Sequence, residues 1–105
     1  MIALNSELFK KYIQEEKPVL VEFWAPWCVH CRRIASAMEK IADQYKDELV
    51  VSQVNIDDEP ALSESERIEL VPTLVIYKNG KDLGSIVAPE SKAKIEEFIK
   101  ETLGK

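Results

Sequence analysis

The chain has 105 residues, 46% of them hydrophobic and 31% charged, with a formal net charge of −5. That length suits one domain, here residues 1–105, with enough chain to bury a core without metal or disulfide staples. The acidic balance speaks against a grip on nucleic acid or adhesion to anionic membranes, and no stretch approaches the roughly 18 apolar residues of a membrane helix.

Residues 1–10 show no basic n-region, no long apolar h-region and no cleavage site, so a cytoplasmic protein is expected. Met1 to Leu4 reads as a short edge strand. Asn5 or Ser6 caps a first helix whose apolar face is Leu8, Phe9, Tyr12 and Ile13. Pro18 breaks that helix and starts Val19-Leu20-Val21-Glu22-Phe23-Trp24, a run apolar on both faces except at Glu22, as a strand covered on both sides requires. Ile34, Met38, Ile41, Ala42 and Tyr45 repeat at helical spacing. Leu49 to Ile56 forms the next strand. Asp57-Asp58-Glu59-Pro60 opens a short helix, with acids and a proline suited to its positive end, and Val71-Pro72 is expected to stop it. Thr73–Tyr77 and Leu83–Val87 flank Asn79-Gly80, a hairpin signal. Ser91 caps a last helix presenting Ile95, Phe98, Ile99, Thr102 and Leu103. The order βαβαβαββα predicts an α/β fold, with a mixed sheet flanked by helices on both faces.

Between the apolar strand and the second helix lies Trp24-Ala25-Pro26-Trp27-Cys28-Val29-His30-Cys31, holding both cysteines of the chain. A dithiol where a strand becomes a helix is suited to exchanging electrons with other thiols. Structural benefit explains the pair poorly, because so short a loop constrains the unfolded chain little and a reducing cytosol does not preserve it. Half of a zinc site is the other reading, but two Cys and one His cannot complete four ligands within a monomer. No metal and no organic cofactor is expected.

These residues resemble the thioredoxin family. The resemblance rests on Val21-Glu22-Phe23-Trp24-Ala25-Pro26-Trp27-Cys28-x-x-Cys31, then Val54-Asn55-Ile56-Asp57, Val71-Pro72-Thr73 and Tyr77-Lys78-Asn79-Gly80, in the family's order and spacing over essentially the whole chain. It implies the thioredoxin fold, a central mixed sheet of roughly four to five strands, and a protein disulfide oxidoreductase that reduces substrate disulfides. A separate disulfide reductase would recharge it, and a monomer is the default. Where the family usually has Gly-Pro between the cysteines, this chain has Val29-His30; the buried acid, usually Asp, is Glu22; the lysine facing it is Gln53. The helix-kinking proline is Ser36, and two glycines of the docking surface are Leu70 and Ala88, which implies a less open surface and poor service by a standard thioredoxin reductase.

The resemblance assigns roles. Cys28, at a helix N-terminus that favours an anion, is the nucleophile, and Cys31 resolves the mixed disulfide. Glu22 helps deprotonate Cys31 through a water; the alternative is a solvated or salt-bridged acid at a strand end. His30 stands where protein disulfide isomerases and periplasmic disulfide oxidases carry histidine. Beside Cys28 it would favour the thiolate and make the couple more oxidising, with Arg32 and Arg33 adding to this if they point inward; otherwise it is a solvated residue in the first helical turn. Potentials across such proteins span on the order of 150 mV, about 7 kcal/mol for two electrons, so an oxidase, isomerase or glutathione-linked protein is one alternative. A redox-inert binding module using Trp27 and Leu70-Val71-Pro72 is another. Pro72 is predicted cis, placing the Val71 backbone against the cysteines to pair with an extended substrate; an ordinary trans proline is the alternative. Trp27 is expected to shield the disulfide and touch substrate, whereas Trp24 is equally well plain core packing.

Overall fold

The strand Val19–Trp24 forms the centre of the molecule because it is apolar on both faces and so needs covering from both sides. In the computed structural model, which describes residues 1–104, the elements run β1 (Ile2–Ala3), α1 (Ser6–Ile13), β2 (Val19–Trp24), α2 (Val29–Gln44), β3 (Val50–Asn55), α3 (Pro60–Ser65), β4 (Thr73–Lys78), β5 (Lys81–Val87) and α4 (Lys92–Leu103). They build one five-stranded mixed sheet of order β1-β3-β2-β4-β5. β2 lies parallel to β3 and antiparallel to β4, and β5 returns antiparallel on β4.

Strand alternation divides the core between two faces. Leu20, Leu74 and Ile76 point to one side and bury Ile34, Met38 and Ile41 of α2 with Ile95 and Ile99 of α4. Val19, Val21, Phe23 and Val75 point to the other, against Phe9 of α1 and Leu62 of α3. Glu22 therefore shares the α2 side with Leu20. Its cross-strand neighbours are Gln53 and Leu74.

Local chemistry sets the ends of the elements. Asn5 caps α1 by accepting from the Leu8 N–H at 2.8 Å, and Ser91 caps α4 by accepting from the Lys94 N–H at 3.2 Å. Asn79 and Gly80 take positive φ values of 54° and 81°, as a tight hairpin demands.

One expected boundary is wrong. Val71-Pro72 does not stop α3, which already ends at Ser65. Arg67 adopts a left-handed φ of 61°, its N–H bonds Glu64 O at 2.9 Å, and the Ile68 N–H bonds Ser63 O at 2.9 Å. This is the Schellman closure of a helix C-terminus, built without the usual glycine.

Candidate active site

The β2 strand ends at Trp24, and the chain turns through Ala25-Pro26-Trp27 before α2 begins. Cys28 is the N-cap of that 16-residue helix, with extended backbone angles and its N–H bonded to Ala25 O at 3.1 Å. Its Sγ accepts from the Cys31 N–H at 3.1 Å, taking the place a Ser or Asp oxygen has in an ordinary cap. Free N–H groups and the positive end of the helix dipole thus converge on this sulfur. Cys28 and Cys31 are joined as a disulfide with Cα atoms 5.3 Å apart. They are only 6% and 4% exposed, packed with Ala25 and against Trp24, Ile56 and Val71.

The loop before β4 closes the site from the far side. The Val71–Pro72 peptide is cis, and Val71 O lies 3.6 Å from Cys28 Sγ. Thr73 Oγ1 donates to Leu70 O, holding the turn beside it. Leu70 is 64% exposed and Trp27 63% exposed, so two large apolar side chains stand in solvent near the nearly hidden disulfide. Trp27 is braced from below: its indole N–H donates to Asp57 Oδ1 at 3.4 Å.

Glu22 is 3% exposed; its backbone is paired in the sheet, but no cation or side-chain hydrogen bond among the described residues acts on its carboxyl. Its carboxyl opens instead on a cavity of about 210 Å³ whose lining includes Cys31, Arg32, Glu39 and Gln53. That is room for several waters. Burial pushes the Glu22 pKa from 4.5 up to about 7, since the charged form loses hydration and gains no cation on β3. A carboxyl whose pKa burial raises to about 7 thus lines the same cavity as Cys31.

His30 is half-buried in the first turn of α2, and its Nε2 lies 2.8 Å from Pro89 O, in the connection between β5 and α4. Its ring is engaged by that carbonyl rather than by Cys28. Arg32 donates from Nη1 to Pro26 O at 2.7 Å, lying along the active loop, while Arg33 is exposed. Trp24 is half-buried against the cysteines. The structure therefore brings together Cys28, Cys31, Glu22, Val71 and Pro72, leaves Trp27 on the rim, and turns His30 to the side. Asp57 and Pro89 escaped the sequence reading. Asp57 belongs to a recognisable landmark, but nothing local shows that it reaches Trp27, and no sequence signal marks the Pro89 carbonyl.

The thioredoxin family model matches residues 1–101 of this chain. The chain belongs to the thioredoxin family. Among similar thioredoxins are the chloroplastic M-type protein of Chlamydomonas reinhardtii, 38% identical over 96% of this chain and 73% of its own length, and that of Griffithsia pacifica, 40% identical over 85% and 82%. The thioredoxin of Buchnera aphidicola is 37% identical over 94% and 92%. The crystal structure of Malassezia sympodialis thioredoxin superposes with a TM-score of 0.87 at 27% identity, covering 97% of this chain and 90% of that one. With the paired Cys28 and Cys31, membership makes this protein a thiol–disulfide oxidoreductase whose substrates are protein disulfides. The oxidising and redox-inert alternatives are not favoured. No helix among the described residues is long and apolar enough to cross a membrane.

Proposed function

We propose that this thioredoxin-family protein works as a single-domain, monomeric reductant of protein disulfides in the cytoplasm, carrying electrons for redox homeostasis. A separate disulfide reductase returns it to the dithiol. The observation that carries the assignment of roles is Cys28 at the helix N-cap, its sulfur facing the Cys31 N–H and the Val71 carbonyl.

The cycle starts from the dithiol. The Cys28 thiolate attacks one sulfur of the substrate disulfide, forming a mixed disulfide and expelling the first substrate thiolate. The substrate strand lies over Trp27 and along the Val71-Pro72 backbone, where it can pair as an added strand. Glu22 takes the Cys31 proton through water in the shared cavity. The Cys31 thiolate then attacks Cys28 Sγ, releasing the second substrate thiolate and leaving Cys28–Cys31 oxidised. Two electrons pass to the substrate, and its two thiolates are protonated from solvent.

Insulin reduction with dithiothreitol as electron source tests this reading: activity in the wild type and none in Cys28→Ser supports it, and equal activity in both overturns it. The equilibrium potential of the pair tests the direction. A value near about −270 mV identifies a reductant, and one more positive than about −220 mV an oxidant or isomerase. Leu70, 64% exposed, and Ala88 stand where the family usually has glycines that keep the docking surface open, which supports an expectation of slow turnover with a standard NADPH-dependent thioredoxin reductase. Efficient turnover would reject that expectation.

A further inference from the structure

His30 and Pro89 are 59 positions apart in sequence and joined by a single hydrogen bond of 2.8 Å. A backbone carbonyl only accepts, so the His30 nitrogen facing it must carry the proton. In the neutral ring this selects the Nε2–H tautomer and leaves Nδ1 without hydrogen.

Pro89 follows Ala88, and Ala88 is strained. Its φ of 47° lies in the left-handed region, which side chains with a Cβ disfavour. Such a conformation persists only where surrounding contacts over-determine it. Two are present. The Ala88 N–H donates to Pro72 O at 2.8 Å, and His30 holds the carbonyl of the next residue. Pro72 in turn follows Val71, whose carbonyl lies 3.6 Å from Cys28 Sγ. The contacts close a ring around the nucleophilic sulfur: Cys28, His30 in the same helical turn, Pro89, Ala88, Pro72, Val71 and back to Cys28.

We propose that His30 is a positioning residue for substrate binding: its Nε2–H clasps Pro89 and holds the 88–89 wall beside the Val71-Pro72 strand against the start of α2. This rests on the reading that substrate docks along Val71-Pro72. The clasp needs a hydrogen-bond donor and not a charge, which separates it from any electrostatic effect of the imidazole on Cys28. Both protonation states of the ring can donate to Pro89.

Two measurements test the proposal. Nitrogen-15 NMR of the wild-type imidazole is expected to show the Nε2–H tautomer in the neutral ring; a dominant Nδ1–H tautomer overturns the clasp. Kinetics then use His30→Ala, which removes the donor, and His30→Gln, which restores an N–H without the charge. With a protein disulfide as substrate, His30→Ala is expected to raise KM about threefold to tenfold, the range of one hydrogen bond, with a smaller change in kcat. His30→Gln is expected to bring KM back toward wild type, while both neutral variants move the potential together. Equal KM values in Ala and Gln variants, or a wild-type KM in His30→Ala, overturn the clasp. Leu70→Ser, a change at an exposed position beside Val71, separates the two levels of failure. A raised KM there with a wild-type KM in His30→Ala means that substrate docks as described and the clasp alone is wrong. Wild-type KM in both means that the docking reading has failed and the clasp with it.

Discussion

The Cys31 backbone N–H points at Cys28 Sγ across 3.1 Å, so the second cysteine supplies both a thiol and a donor for the first. The same helical turn that hides Cys31 thus favours negative charge on Cys28. Cys31→Ser keeps that N–H and the helix end, and is expected to attack a protein disulfide once and then stall. Mass spectrometry of the reaction should find a mixed disulfide on Cys28 accumulating in Cys31→Ser and absent in Cys28→Ser. Loss of the adduct from Cys31→Ser would show that Cys28 is not the entry point.

Glu22 makes stability depend on pH in a known direction. In the unfolded chain its carboxyl ionises near 4.5, but in the folded protein the proton is held to about 7. The folded state therefore binds more protons in this window, and stability falls as pH rises through it. Below 4.5 the contribution is complete; above about 7 it is gone. At roughly 1.4 kcal/mol per pH unit the loss is about 3 kcal/mol. Urea unfolding at pH 5 and pH 9 should show Glu22→Gln gaining about 3 kcal/mol relative to wild type at the higher pH. An unchanged difference between the two proteins would contradict the burial argument.

The same residue should separate stability from rate. Glu22→Gln cannot accept a proton, so closure of the Cys28–Cys31 bond should slow and lose its dependence on pH between about 6 and 8. Stopped-flow release of substrate from the mixed disulfide reads this step directly. Wild-type rates in Glu22→Gln across that range would remove Glu22 from the mechanism.

Arg67 occupies a left-handed position at the end of α3 that glycine normally fills. Arg67→Gly relieves the side-chain strain while keeping both closing hydrogen bonds, and is expected to stabilise the protein by about 1 kcal/mol. Thermal unfolding checks it, and a fall in Tm would mean that the arginine side chain contributes more than its backbone costs.

Phe9 is 2% exposed and stacks edge-on against Tyr77 at 5.2 Å and Phe23 at 6.2 Å. Phe9→Ala leaves a cavity among rigid rings and is expected to cost about 3–5 kcal/mol in denaturant unfolding. A loss under about 1 kcal/mol would show that α1 can collapse onto the sheet.

Much of this protein is legible without its fold. Hydrophobic period separates the helix carrying Ile34, Met38 and Ile41 from the strand Val19–Trp24, because side-chain direction depends only on local backbone geometry. Cys28 and Cys31 are neighbours by covalent spacing, and a helix starting at that point places one sulfur at its positive end in any fold. The end of α3 was not legible, since Arg67 carries no mark of the left-handed turn it makes. Nor was the orientation of His30. Tertiary structure decided that its ring meets Pro89, that Trp27 leans on Asp57, and that Glu22 opens on the cavity beside Cys31. Each of these depends on strand register and on which helix crosses which face. Such long-range choices are made by the whole core at once, so no window of sequence contains them.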